Sequence, residues 1–319
     1  MDLLCVEQLV KNFAAQKTWW GTIRSPASTA VRGISFSVKE GEIVGLLGAN
    51  GAGKTTTIQM LLSTLIPSAG SITYFGKNFF THRSTVLQKV GFASTYARLP
   101  GRLTVLENMH LYGRLYGLSY AQRIETSKHY LEYFDLWDLR DQQTGSLSEG
   151  QKTGVMLAKA FLSRPKIVLL DEPTASLDPD IGQTVRTFVM EQQRDCGVSF
   201  LFTSHNMSEV NQVCSRVLVM KKGLIIANNT PQQLAASVSK VRISLMICEG
   251  LEYLIHYLQD KGFVFTMNAG LIEIEIDEQL IAFFLQELAG LGIRYSEISI
   301  KKPTLEDYFL QVAKKDRRG

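Results

Sequence analysis

The sequence predicts an α/β protein carrying a second, smaller α+β domain, and three observations predict it. Nearly continuous apolar runs of strand length alternate with helical patterns up to about residue 230. A glycine-rich turn follows the first of those runs and opens a helix. From about residue 241 the pattern changes to the order β-α-β-β-α-β, that of a split βαβ (ferredoxin-like) module.

In chain order, IVGLLG (43–48), KIVLLDEP (166–173) and SFLFTS (199–204) lack polar alternation, the pattern of parallel strands buried on both faces. VGFAST (90–95) adds a further strand. A helix with Asp178 or Asp180 near its start separates the runs at 166 and 199. RVLVMKKGLIIAN (216–228) reads as two strands joined at Lys222-Gly223, a hairpin. Residues 100–162 hold a helical subdomain. Thr104 with Glu107, and Ser119 with Gln122, have capping-box spacing, and amphipathic spacing follows each pair. Past residue 241, VRISLMI, FVFTM, LIEIEI and IRYSEISI predict strands, while LEYLIHYLQDK and EQLIAFFLQELAG predict helices. Thr304 caps a last helix. The expected domains are 1–236 and 241–319, and residues 14–30 read as an insertion in the first.

Composition narrows the partners. The chain has 319 residues, 45% hydrophobic and 20% charged, with a net charge of +4. That is the profile of a globular protein of about two domains, and so small a basic excess argues against nucleic acid as the main partner. The four cysteines, Cys5, Cys196, Cys214 and Cys248, include no C-x-x-C pair, and reduced thiols in a reducing compartment are expected. The opening MDLLCVEQLVKN has no secretory apolar core, and nowhere do 18 apolar residues run uninterrupted. A cytosolic chain is expected, with any membrane role through a partner.

The chemistry concentrates at residues 48–55. Gly48-Ala49-Asn50-Gly51-Ala52-Gly53-Lys54-Thr55 matches G-x-x-x-x-G-K-[ST] after a strand and before a helix, the context this motif requires. Glycines let backbone N–H groups converge on phosphate oxygens, and the helix N-terminus adds partial positive charge. Lys54 is expected to reach the β- and γ-phosphates and the Thr55 hydroxyl to sit on Mg²⁺. Asp171-Glu172 closes a buried strand, where one carboxylate can serve the metal and its neighbour can polarise an attacking water.

Three further motifs follow in order: Leu147-Ser148-Glu149-Gly150-Gln151, then Ser176-Leu177-Asp178, then His205 after the next strand. With the two motifs above, this set resembles the ATPase subunit of an ABC (ATP-binding cassette) transporter, across roughly residues 1–235. The C-terminal module resembles the extra domain often found on such ATPases. The resemblance implies ATP and Mg²⁺ as cofactors. It implies that Gly51, Gly53, Lys54, Thr55 and Thr56 cradle phosphates, with Gly48, Asn50 and Ala52 completing the loop. Asp171 then serves Mg²⁺ with Thr55, Glu172 is the general base, and His205 contacts the γ-phosphate. Ser148 and Gly150 would complete the site of a second, facing cassette, and Asp178 lies on the loop where the two cassettes touch. Phe13 holds the position of the adenine-stacking aromatic. Partners implied are a second cassette, in a homo- or heterodimer, and a polytopic membrane permease. The wording of residues 98–118 resembles the exporter branch, in which that region receives the permease's coupling helix.

Three positions depart from the family pattern. Thr95 stands where a metal-reaching Gln is usual, Glu149 replaces a small residue in the signature, and Gly154 stands where many relatives have Arg. Either these positions tolerate substitution, or the chain is a slow ATPase or one half of an asymmetric heterodimer. Trp19 and Trp20 lie among five basic residues between Gln8 and Lys39, and they either touch lipid headgroups or a partner or pack on the domain. The reading that covers most of these motifs is the ATP-hydrolysing subunit of an exporter. Its alternatives are a soluble ABC ATPase without a permease and a regulatory ATP sensor.

Overall fold

The structure is a computed structural model describing residues 1–17, 23–95, 97–175, 177–238, 240–268 and 270–315, so Trp19, Trp20 and Ser176 lie outside the described residues. The chain forms two compact units, Met1–Thr230 and Pro231–Gly319.

The first unit begins with β1 (Asp2–Phe13), the short strands β2 (Gln16–Lys17) and β3 (Ile23–Ser25), and β4 (Ser28–Lys39). β5 (Ile43–Leu47), α1 (Lys54–Leu61), β6 (Ala69–Tyr74), β7 (Lys77–Asn78), α2 (Arg83–Leu87) and β8 (Val90–Ser94) follow. Next come the helices α3 (Val105–Leu115), α4 (Tyr120–Tyr133) and α5 (Glu149–Phe161). β9 (Ile167–Asp171), α6 (Pro179–Cys196), β10 (Ser199–Ser204), α7 (Met207–Val213), β11 (Arg216–Lys221) and β12 (Leu224–Asn229) complete it.

The strands build two sheets. One has the order β12-β11-β5-β10-β9-β8, parallel except for the β11–β12 hairpin. The other is antiparallel, in the order β4-β1-β6-β7. Every residue of β5, β9 and β10 is buried, which explains why apolar residues run consecutively through IVGLL, IVLL and FLF. On one side of the parallel sheet a core joins Val44, Leu46, Leu169, Leu201 and Leu218 to Ile58 and Leu61 of α1, and to Leu4, Val6, Val31 and Phe36 of the antiparallel sheet. On the other, Phe161 of α5 contacts Phe188 of α6 at 4.8 Å and Phe200 of β10 at 6.2 Å between ring centroids. The unit is therefore layered, with a parallel sheet at its centre.

Residues 28–30, the last of the expected insertion, form part of β4 in the β1–β4 ladder, in which Phe13 pairs with Ser28 and Asp2 with Lys39.

The helical subdomain is held by specific contacts. Both predicted capping boxes form: Thr104 accepts from the Glu107 N–H at 3.1 Å, and Ser119 from the Gln122 N–H at 3.3 Å. Lys159 of α5 is buried, 5.1 Å from the ring centroid of Tyr112 on α3 and 6.0 Å from that of Phe92 on β8. Burial pulls its ammonium pKa down to about 8. α5 also lies so close to β8 that a Cβ at Gly91 would fall 2.5 Å from the carbonyl oxygen of Ala160.

The second unit holds α8 (Pro231–Ala236), β13 (Lys240–Glu249), α9 (Leu251–Asp260), β14 (Val264–Asn268), β15 (Leu271–Asp277), α10 (Ile281–Gly290), β16 (Arg294–Lys301) and α11 (Leu305–Lys315). Its antiparallel sheet has the order β14-β15-β13-β16, the connectivity of a split βαβ. Ile243, Leu245, Ile272 and Ile274 of the sheet pack on Leu254, Leu258, Phe284 and Leu288 of the helices. Thr304 caps α11 through Asp307, whose N–H it accepts at 3.3 Å. α8 belongs to this second compact unit, where it packs on α11.

Gly91→Ala should destabilise the first unit by about 1–3 kcal/mol, because a backbone carbonyl cannot move aside as a side chain can. A thermal midpoint equal to that of the native chain would show that α5 is not held against β8.

Candidate nucleotide site

The parallel register lines up the strand ends. Leu47 pairs with Ser204, Thr203 with Asp171, and Asp171 with Ser94. The turns leaving β5, β8, β9 and β10 therefore emerge side by side at one edge, carrying the phosphate-loop motif, Thr95, Glu172 and His205. Ligands of α/β sheets bind at such carboxyl edges.

Gly53 takes φ 109° at the N-terminus of α1, and a Cβ there would lie 2.6 Å from the carbonyl oxygen of Ala30. Only glycine satisfies both limits. The Gly223 N–H, in the β11–β12 turn, braces the loop by donating to the Ala52 carbonyl at 3.0 Å. Asn50, Gly51 and Thr55 are exposed, Thr56 is half-buried, and Gly48, Ala52 and Lys54 are buried. Lys54 Nζ donates to the Gly48 carbonyl at 2.6 Å and lies 3.7 Å from Glu172 Oε1. Phe13 is 40% exposed, with Lys11 Nζ 5.3 Å from its ring centroid. Its ladder partner Ser28 is two residues from Ala30, about 7 Å along the strand, so Phe13 stands near the rim of the loop.

Asp171 is buried, and its Oδ1 accepts from the Thr203 hydroxyl at 2.7 Å. Burial raises its carboxyl pKa, opposed by the hydroxyls of Thr203 and Thr55 and by the Lys54 charge, while the Glu172 charge raises it further. The Thr55 hydroxyl and Asp171 carboxylate thus form an adjacent all-oxygen pair, the donor set that Mg²⁺ prefers beside phosphates. Glu172 has a left-handed backbone, φ 52°, costing roughly 1–2 kcal/mol for a residue with a Cβ. Its N–H donates to Thr203 Oγ1 at 3.0 Å, and its carbonyl accepts from the Thr95 hydroxyl at 3.3 Å. The kink turns the side chain so that Oε2 meets His205 Nδ1 at 3.1 Å.

Lys54, Thr55, Asp171, Glu172 and His205 are therefore drawn together. Ser148, Gly150 and Asp178 have their contacts elsewhere. Ser148 caps α5 in a capping box with Gln151, which the spacing of the two residues could have revealed. Gly150 leaves room for Ile181 of α6, where any Cβ would collide. Asp178 is the N-cap of α6. Thr203 and Ser204, which no motif singles out, organise the strand ends.

The departures acquire local explanations. Thr95 bonds the backbone of Glu172. The Glu149 carboxylate pairs with Lys152 at 2.8 Å on the solvent side of α5, which offsets its charge. At Gly154 a Cβ would lie 2.8 Å from Cδ1 of the buried Leu136, which would have to turn aside to admit a larger residue.

The profile of the family described as ABC transporter matches residues 31–175. The linearmycin resistance ATP-binding protein LnrL of Bacillus subtilis (strain 168) is 30% identical over 291 residues, 89% of this chain and 93% of its own. The Nod factor export ATP-binding protein I of Burkholderia lata is 38% identical over 210 residues, 65% of this chain and 68% of its own. Among solved structures, the ATP-binding cassette MJ0796, in a dimeric post-hydrolysis state bound to ADP and Pi, covers 71% of this chain and 98% of its own at TM-score 0.64 and 21% identity, a likeness of fold. The chain belongs to the ABC transporter family, as an ATP-binding cassette subunit with ATPase activity.

The Asp171 shift has a definite sign. Its folded pKa exceeds the unfolded value of about 3.9, so the folded chain holds this proton more tightly and loses stability as pH rises through that interval. Asp171→Asn should therefore raise the thermal midpoint of the nucleotide-free chain at pH 7 by about 2–4 °C per kcal/mol relieved. A lowered midpoint in differential scanning calorimetry would mean the ionised carboxylate is well solvated.

Proposed function

We propose that the chain binds MgATP on the loop at residues 48–55 and hydrolyses it between two facing cassettes, powering export through a separate polytopic permease. The observation that carries this reading is the cluster of Lys54, Glu172 and His205, joined by contacts of 3.7 and 3.1 Å beside the phosphate loop. Gly51, Gly53, Lys54, Thr55 and Thr56 hold the phosphates, and Phe13 stacks on adenine. Thr55 and Asp171 would hold Mg²⁺, which when bound neutralises charge on the β- and γ-phosphate oxygens. Glu172 takes a proton from the attacking water, its carboxylate turned inward by the kink at its own backbone. His205 contacts the γ-phosphate. Ser148 and Gly150, on an α5 terminus separate from this cluster, complete the facing cassette's site, and Asp178 lies at the contact. Catalysis rests on positioning and charge stabilisation.

Among the described residues no helix is long and apolar enough to cross a membrane. A cleft of about 710 Å³, lined by Arg98, Leu99, Glu149, Lys152, Met156 and Leu177, opens beside Thr95 between the helical subdomain and the turn after β9. It is sized for a short helical segment of a permease, which would hold the chain at the cytoplasmic face of the membrane. The relatives named for drug resistance and Nod factor export support export as the direction.

Glu172→Gln should lower turnover by roughly 10²–10⁴-fold while retaining ATP, since it removes a general base. Lys54→Ala should instead lose nucleotide affinity. Tagged Glu172→Gln chain, recovered with ATP from detergent-solubilised membranes of its own cell, should bring down a polytopic permease identifiable by mass spectrometry. Recovery of ribosomal or DNA-bound partners alone would overturn the transporter reading.

A further inference from the structure

His205 presents a positioning problem. Its side chain is 61% exposed, and among the described residues its one polar contact is the Glu172 carboxylate. Packing does not aim this imidazole, so its direction depends on the backbone of residues 204–206. The ladder pairing of Ser204 with Leu47 holds one end of that backbone and the cap of α7 by Asn206 holds the other, and the Ser204 hydroxyl ties the two together. Ser204 Oγ accepts the Asn206 N–H at 2.9 Å, closing a turn over His205. The same hydroxyl donates its only proton to Glu209 Oε2, also at 2.9 Å. Ser204 and Glu209 are each 4% exposed. The other Glu209 oxygen, Oε1, accepts from Arg186 of α6 at 3.3 Å. Arg186 is itself oriented by Gln183, whose Oε1 accepts from its guanidinium at 2.8 Å.

We propose that Glu209 and Ser204 are positioning residues for His205, and that Arg186 ties this seat to α6, the helix that begins at Asp178. The chemistry favours function over mere cohesion. A buried carboxylate paired with a guanidinium recovers little net stability after desolvation, so an apolar pair of the same shape would hold α6 and α7 together as well. What the apolar pair would lack is an acceptor that fixes the rotation of the Ser204 hydroxyl. With that rotation fixed, the lone pair faces Asn206 and the turn carries His205 toward Glu172. Loss of Glu209 or Ser204 therefore acts on the reaction through His205 and leaves the phosphate loop untouched. The inference rests on the role proposed for His205 above.

The test compares full-length Ser204→Ala, Ser204→Thr, Glu209→Gln and His205→Ala chains in steady-state ATP hydrolysis, in binding of a fluorescent ATP analogue, and in NMR of ¹³C-labelled histidine. Ser204→Ala should lower kcat roughly 10–100-fold, the scale of a misplacement of about 1 Å, and Glu209→Gln, whose amide oxygen can still accept from Ser204 but whose pairing with Arg186 is lost, should lower it less, with ATP affinity within twofold of native in both. Ser204→Thr, which keeps the hydroxyl on a strand that suits a β-branched residue, should restore kcat. The imidazole resonance assigned to His205 by its loss in His205→Ala should shift and narrow in Ser204→Ala as the ring gains freedom. Native kcat and an unmoved resonance in Ser204→Ala and Glu209→Gln, with His205→Ala inactive, would overturn the inference and leave the role of His205 standing. Full hydrolysis by His205→Ala would overturn both. Losses that Ser204→Thr does not rescue, accompanied by a falling thermal midpoint, would assign the network to stability alone.

Discussion

The parallel register of four buried strands is the constraint on which the site depends. Thr203 lies opposite Asp171, Asp171 opposite Ser94, and Ser204 opposite Leu47. A one-residue slip would turn every side chain of a strand to its other face. Asp171 would then leave the Thr203 hydroxyl for an apolar layer, and the phosphate loop would no longer meet Glu172. The burial that keeps the middles of β5, β9 and β10 apolar thus also sets the chemistry at their ends, because a slipped strand would lose its packing on both sides.

The site sits on this scaffold at an energetic disadvantage. Burial favours the acid form of Asp171, and Glu172 adopts a backbone that suits glycine. Neither arrangement would persist without reinforcement. Thr203 supplies it for both residues, donating to the carboxylate of one and accepting the N–H of the next. Thr95 restrains Glu172 from the other side by bonding its carbonyl. A residue that departs from the family pattern has thereby become part of the support beneath Glu172.

Much of this architecture was legible in the chain. The motif residues stand at unmistakable spacings, and doubly buried strands announce themselves as unbroken apolar runs. The antiparallel sheet was much less so. β1 carries a bulge at Gln8, with φ 46°, and register shifts interrupt its pairing with β4, so the alternation expected of a half-buried strand is lost. Thr203, Ser204, Glu209 and Arg186 escaped notice because their contacts cross strands and helices, which no local spacing encodes. α8 is too short to declare its allegiance by periodicity, and only its packing on α11 places it in the second compact unit.

The buried lysine of α5 has a consequence outside nucleotide chemistry. Lys159 is enclosed by Phe92 and Tyr112, so reagents that acylate surface amines reach it only when α3 lifts from α5. The burial that lowers its pKa also shields it, so acylation waits on uncovering. The chain thus carries a footprinting probe of its own helical subdomain, one that reports each opening of that layer as a covalent mark at a single position.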